Sequence, residues 1–204
     1  KKQNKTALIW FKNNLRVVDN KSLRDATNNY ENVIAVYFLD PRLFEIGSFG
    51  FKKTEKFRTK FILQSLNELK SNLNKLNISL LVYSDKPENK VPKIVEQFDI
   101  STIYLQKEWS QEESSVINNL KNRFEDVLKW NETYDQFLFH PDDIPFSFNE
   151  IPQVFSNFRK RLEKYVSVRK ETSPSKLEAS NILKMETPIP TLQDLGFDDF
   201  NQPD

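Results

Sequence analysis

The sequence predicts an α/β fold: a doubly wound, five-stranded parallel sheet between two layers of helices, a three-layer αβα arrangement. Three observations carry this expectation. Short apolar runs alternate with longer segments of helical period, the pattern of successive β-α-β units. Within the runs consecutive positions are apolar, as strands covered on both faces require. The alternation stops near residue 165, where prolines and polar or charged residues take over.

Taken in chain order, residues 7–11 (Ala-Leu-Ile-Trp-Phe) read as the first strand. Asp19 or Asn20 then suits the N-cap of a helix. Residues 33–39 read as the second strand, and residues 54–76 as the longest helix. There Phe57, Phe61, Ile62, Leu66, Leu69, Leu73 and Leu76 form one stripe expected to face the sheet. Residues 80–83 are the third strand, followed after Pro87 by a helix carrying Val91, Ile94, Val95 and Phe98. Residues 102–105 are the fourth. Ser110 caps the next helix, with Glu112 and Glu113 in its first turn and Val116, Ile117, Leu120 and Phe124 inward. Residues 127–130 give a fifth strand with a weaker pattern. Val154, Phe155, Phe158, Leu162 and Tyr165 mark a last helix, with Pro152 in its first turn. Residues 1–165 are therefore read as one domain and 166–204, with Pro174, Pro188 and Pro190, as a linker. Right-handed crossovers with one reversal of strand order place a crevice at the C-terminal ends of strands one and four.

Composition removes several kinds of chemistry. Thirty basic against 29 acidic residues leave a net charge of +1, so nucleic-acid binding would need a local patch. The basic stretches Lys52, Lys53, Lys56, Arg58, Lys60 and Arg159, Lys160, Arg161, Lys164 read first as solvated faces. With no cysteine there are no disulfides, thiolate nucleophiles or cysteine metal sites, which suits a reducing compartment. The single histidine, His140, stands before Pro141 in an expected loop and reads as a structural hydrogen-bonding residue. Only Gly47, Gly50 and Gly196 are present, so neither a glycine-rich dinucleotide fingerprint nor a P-loop can form. The pairs Glu112-Glu113, Asp142-Asp143 and Asp198-Asp199 read as caps and solvated faces, because helical neighbours point about 100° apart. No run is long and apolar enough for a membrane, and the charged start lacks a signal peptide's apolar core. A cytoplasmic protein is expected.

One stretch stands out: Trp10-Phe11-Lys12-Asn13-Asn14-Leu15-Arg16-Val17-Val18-Asp19-Asn20. It resembles the opening of photolyases and cryptochromes, an aromatic strand end and a basic residue followed by Leu-Arg and Asp-Asn. Asp40-Pro41-Arg42 with Phe49-Gly50-Phe51-Lys52-Lys53-Thr54, Gln106-Lys107-Glu108-Trp109 and His140-Pro141-Asp142-Asp143-Ile144-Pro145-Phe146 are similar to the DASH branch of that family. Pro188-Ile189-Pro190-Thr191-Leu192 with Leu195-Gly196 looks like the connection into the family's second domain. Lys12 and Asn14 depart from the family pattern, which usually has arginine and aspartate there. Lysine loses the planar fork and asparagine loses a charge.

The resemblance implies a Rossmann-like photolyase N-terminal domain, the antenna-chromophore part of a blue-light flavoprotein. The intact protein would repair cyclobutane pyrimidine dimers, mostly in single-stranded DNA, by light-driven electron transfer. FAD would sit in a helical domain beyond these residues, and this part by itself would be inactive. It implies a methenyltetrahydrofolate antenna, for which Glu108, Trp109 and Glu112, with Phe11, Lys12 and Phe38 from neighbouring strand ends, are the candidate residues. One carboxylate can accept two parallel hydrogen bonds from a pterin edge, and aromatic side chains can sandwich the ring. Glu108 and Glu112 could instead only neutralise a helix N-terminus. No catalytic residue, metal ligand or specific DNA contact is assigned. Two alternatives stand beside this: a stand-alone nucleotide-binding or signalling module of the same fold, and a cryptochrome light sensor without repair activity. A weak, concentration-dependent homodimer through the face that would meet a second domain is also expected.

Overall fold

A computed structural model describes residues 2–200; Lys1 and residues 201–204, the end of the expected linker, lie outside the described residues. Five strands, β1 (Gln3–Phe11), β2 (Tyr30–Phe38), β3 (Leu80–Tyr83), β4 (Ile100–Gln106) and β5 (Lys129–Thr133), form one sheet in the order β3-β2-β1-β4-β5. Every pairing is parallel. The helices are α1 (Lys21–Asn29), α2 (Lys56–Lys75), α3 (Pro87–Phe98), α4 (Gln111–Arg123) and α5 (Phe155–Tyr165).

The two-sided burial read from residues 7–11 is visible in β1. Ala7, Ile9 and Phe11 pack with Leu23 and Ala26 of α1 and Leu66, Leu69 and Leu73 of α2. Leu8 and Trp10 point the other way, onto Val91 and Ile94 of α3 and Ile117 and Leu120 of α4. Alternate residues thus serve two cores, which is what a strand inside a doubly wound sheet requires. Trp10, only 3% exposed, is a core residue of the second of them.

Asn20, not Asp19, caps α1. Its Oδ1 accepts from the Leu23 amide (3.0 Å) and its Nδ2 donates to the Arg16 carbonyl (3.0 Å), fully shielded from water. An Asn20→Ala variant strands both groups and is expected to lose about 2 kcal/mol of stability in denaturant unfolding. A loss below about 0.5 kcal/mol would show that solvent replaces the cap. In a chain with three glycines, left-handed backbone is carried mainly by Asp19, Asn77, Asp99 and Asp126, whose short polar side chains tolerate it.

Several details differ from the sequence expectation. Strand β2 starts directly at Tyr30, which also ends α1; its hydroxyl shares a 2.6 Å hydrogen bond with Thr102. Strand β5 lies later than 127–130, with Val127 69% exposed, because an edge strand pairs on one side only and needs no apolar run. Along α2 the sheet-facing positions are Thr59, Ile62, Leu63, Leu66, Leu69 and Leu73. Phe57 and Phe61, expected in that stripe, are instead 56% and 68% exposed.

The segment expected as a linker is packed against the domain over much of its length. Thr172 takes the Asp19 amide proton through its carbonyl (2.7 Å), and the Leu177 amide donates to the Leu76 carbonyl (3.1 Å). Leu177, Leu192 and Phe197 enter the core beside α1 and α2. Farther on, the Val82 amide on the free edge of β3 donates to Thr187 Oγ1 (2.6 Å). The strap therefore supplies partners to backbone groups that the sheet leaves over.

Candidate functional site

Strands β1 and β4 are neighbours whose following connections run to opposite faces of the sheet, so a crevice opens at their C-terminal ends. Its floor is Trp10, Phe11, Lys12 and Phe38, and its far wall is Pro87, Val116 and Glu113, around a cavity of about 140 Å³. Trp10 meets Phe38 edge-on at 5.4 Å, which fixes both rings. The cavity shares Asp40, Leu43, Glu113 and Val116 with a wider polar groove of about 450 Å³. One rim of that groove is held by Arg42, which bridges Asp40 (2.5 Å) and Glu88 (2.9 Å). These hydrogen bonds, Asp40 first, push the Arg42 pKa further upward, so its charge is permanent.

The turn leaving β1 explains why Asn14 serves without a charge. Asn14 is 3% exposed, and its Oδ1 accepts the Lys12 amide (3.2 Å), closing the turn with a neutral group. Arg16 then donates to the carbonyls of Asp19 (2.8 Å) and Asp135 (3.0 Å). Lys12 itself is partly buried, with its Nζ 5.1 Å from the centre of the Trp10 ring. Among the described residues no carboxylate comes within salt-bridge distance of it. Burial lowers its pKa, and the more distant charges of Glu108, Glu113 and Glu132 pull it back up.

Glu108 lies in the turn between β4 and α4. Burial raises its pKa, offset mainly by Lys12 and, more weakly, by a 3.5 Å contact from Gln106. It opens into a separate polar cavity of about 310 Å³ with Lys107, Lys121 and Glu132. Trp109 turns away from both cavities: it is 58% exposed, stacked on Tyr134 at 5.3 Å and met edge-on by Phe137 at 5.8 Å. Glu112 is exposed and pairs with Lys53 (2.5 Å) at the groove's outer rim.

Of the candidate residues, the structure brings Phe11, Lys12 and Phe38 into one crevice, with Glu108 coupled to Lys12 through charge. Trp109 and Glu112 stand apart from that centre. Glu113 was missed by the sequence reading. It pairs with the N-cap Ser110, donating its amide to Ser110 Oγ (3.2 Å) and accepting the hydroxyl proton (2.7 Å), and it also lines the crevice. The Ser110-x-x-Glu113 spacing was its available signal. His140 accepts the Asp142 amide proton at Nδ1 (3.2 Å) and meets Tyr134 edge-on. Much of the first basic stretch is engaged within the molecule, Lys52 over Phe197 at 4.1 Å and Lys60 over Phe200 at 4.6 Å.

The donor set suits part of a planar, polar ring ligand. The Glu113 carboxylate and the partly buried Lys12 flank an aromatic floor that is open toward solvent. No helix among the described residues is long and apolar enough to cross a membrane.

A family model for DNA photolyase matches residues 7–178. Cryptochrome DASH of Synechocystis is 38% identical over 192 residues, covering 91% of this chain and 38% of the relative. Cryptochrome DASH of Gloeobacter violaceus is 35% identical over 196 residues, covering 95% of this chain and 39% of the relative. The crystal structure of the Synechocystis cryptochrome superposes with a TM-score of 0.85 at 33% identity, over 98% of this chain and 42% of that one. An archaeal photolyase from Sulfolobus tokodaii, described with two FAD molecules, shares the fold at a TM-score of 0.71 and 22% identity. The chain thus spans about two fifths of the length of these relatives.

Proposed function

This chain belongs to the DNA photolyase family, with the fold of its N-terminal α/β domain and cryptochrome DASH relatives, and from that premise we propose that it holds the antenna pigment of a blue-light flavoprotein. The observation that carries this reading is the switch-point crevice, where Lys12 sits over Trp10 between Phe11, Phe38 and Glu113. Methenyltetrahydrofolate, when bound, would absorb light and pass the excitation to a flavin. Glu108, coupled to Lys12 through charge from the neighbouring polar cavity, would accept N–H groups of a pterin edge that reaches past Lys12, and burial strengthens each such bond. Lys12 offers a cation to a carbonyl or carboxylate, and Phe11 and Phe38 supply an apolar wall. FAD belongs to a helical domain of the same polypeptide, and the intact cytoplasmic protein repairs cyclobutane dimers in single-stranded DNA by photoinduced electron transfer.

Titration of this chain with methenyltetrahydrofolate is expected to give saturable fluorescence polarisation, tighter when the chain is extended through its following domain. Glu108→Gln should weaken it about tenfold or more, the worth of one charge-assisted hydrogen bond. Absence of saturable binding in both forms rejects the antenna role. The extended chain should also show flavin absorbance and clear dimers from single-stranded DNA under blue light; an extended chain without flavin rejects the flavoprotein reading.

A further inference from the structure

We infer, resting on the antenna reading above, that Lys12 has a second task in the crevice: its ammonium over the Trp10 ring keeps that indole from giving an electron to the excited pigment. Trp10 faces the cavity of about 140 Å³ and is otherwise shut off from water, at 3% exposure. A pigment seated there lies in contact with the most easily oxidised side chain of the wall. Passage of one electron from Trp10 to the excited pigment would leave a Trp10 radical cation and a pigment reduced by one electron. Return of that electron restores both partners and turns the absorbed energy into heat, so none reaches a flavin. An antenna with a tryptophan in its wall must therefore hold that ring neutral.

The geometry supplies the means. Lys12 Nζ lies 5.1 Å from the centre of the Trp10 ring. With the ring neutral this is an attractive contact between a cation and a π face. Oxidation of the ring reverses the sign, because two positive charges then meet at that separation. Burial of the indole and partial burial of the lysine limit screening by solvent, so the repulsion is large. Nor is the lysine charge cancelled at contact: among the described residues no carboxylate lies within salt-bridge distance of it. Phe38 holds the ring edge-on at 5.4 Å, and the hydrogen bond from the Lys12 amide to Asn14 Oδ1 (3.2 Å) anchors the lysine backbone. Tyr37, the other oxidisable side chain of the wall, needs no such guard. A phenol must shed its proton to be oxidised, and burial pushes the Tyr37 pKa up to about 12 against a weaker pull from Arg58. Protection of Trp10 also gives a reason for keeping an unpaired, partly desolvated cation that costs the fold stability.

Time-resolved fluorescence of methenyltetrahydrofolate tests this, with the pigment at saturation on the 204-residue chain and on the extended chain stripped of flavin, so that no energy acceptor is present. Lys12→Met should shorten the lifetime of the bound pigment about fivefold, through loss of the charge facing the ring. Lys12→Arg keeps that charge and should stay within about twofold of the parent. Lys12→Met/Trp10→Phe should return to the parent lifetime, since phenylalanine is far harder to oxidise. An unchanged lifetime in Lys12→Met, or a shortened one that persists without Trp10, overturns the inference while leaving the antenna reading intact. Absence of saturable binding by the parent in both forms rejects the reading and the inference together. A second measurement needs no pigment. The near-ultraviolet difference spectrum between the ligand-free parent and Lys12→Met should carry an indole band, and that band should vanish when the same pair is compared on a Trp10→Phe background. A flat difference spectrum, or a band that survives loss of Trp10, would show that the ammonium does not act on this ring and would also overturn the inference.

Discussion

Asn181→Ala is expected to lower the unfolding free energy by about 3 kcal/mol, read as a fall in melting temperature of roughly 9 °C. Strand β3 is short and pairs with β2 only from Ala35 onward, so the β2 backbone at Val33 lacks a strand neighbour on that side. Asn181 stands in for one. Its Oδ1 accepts the Val33 amide (2.9 Å) and its Nδ2 donates to the carbonyls of Val33 (2.9 Å) and Asn77 (2.7 Å). The side chain is 6% exposed, so alanine would leave three backbone groups without partners where water enters poorly. Asn181→Asp keeps the acceptor but loses both donors, and should cost nearly as much. A loss below about 0.5 kcal/mol for either variant would mean that the strap is not bound to the sheet in solution.

The importance of Asn181 was not legible in the sequence, and the reason is physical. It lies in a polar stretch between prolines with no apolar period, and periodicity registers only side chains that segregate from water. A side chain that replaces a strand leaves no such trace. By contrast, residues 7–11 announced themselves, because a strand buried on both faces must be apolar throughout. Residues 129–133 lie between these cases: Lys129, Asn131 and Glu132 can occupy an edge strand, since one side of the ladder and much of the surface stay solvated. Phe57 and Phe61 misled in the other direction. Apolar spacing identified the helix, but hydrophobicity alone cannot tell a side chain facing the core from one left exposed.

The candidate site divides in the same way. Phe11, Lys12 and Phe38 were placed together because strand order and crossover handedness put the ends of β1 and β2 side by side. Glu108, Trp109 and Glu112 follow β4 closely in the chain, and sequence proximity suggested one cluster. The chain leaves β4 through a turn before α4 begins, so these side chains diverge into three surroundings. Glu113, one position farther, was hidden behind its capping role.

Lys12→Met should make the domain more stable while weakening folate binding, and this opposition of signs is what separates a binding residue from a structural one. Burial lowers the Lys12 pKa, so the folded state holds that proton less firmly than the unfolded chain does. At pH values below the folded pKa the protein carries the cost of a partly desolvated cation. That cost is relieved as pH rises through the folded pKa toward the ordinary value of 10.5, because the unfolded state then binds more protons. Methionine removes the charge and keeps the length, so a gain of about 1 kcal/mol is expected at neutral pH, fading in alkaline solution. Glu108 opposes part of this gain: without Lys12 its own burial is less well offset, and its pKa should rise further. Stability of the variant should therefore improve on acidification through the Glu108 pKa more than that of the parent. Folate affinity should fall tenfold or more, since the ligand loses the cation on the crevice floor. Paired denaturant and folate titrations at neutral and alkaline pH check both halves. A variant that is less stable and binds folate normally would make Lys12 a packing residue, with its charge held in the crevice for reasons unconnected with the pigment.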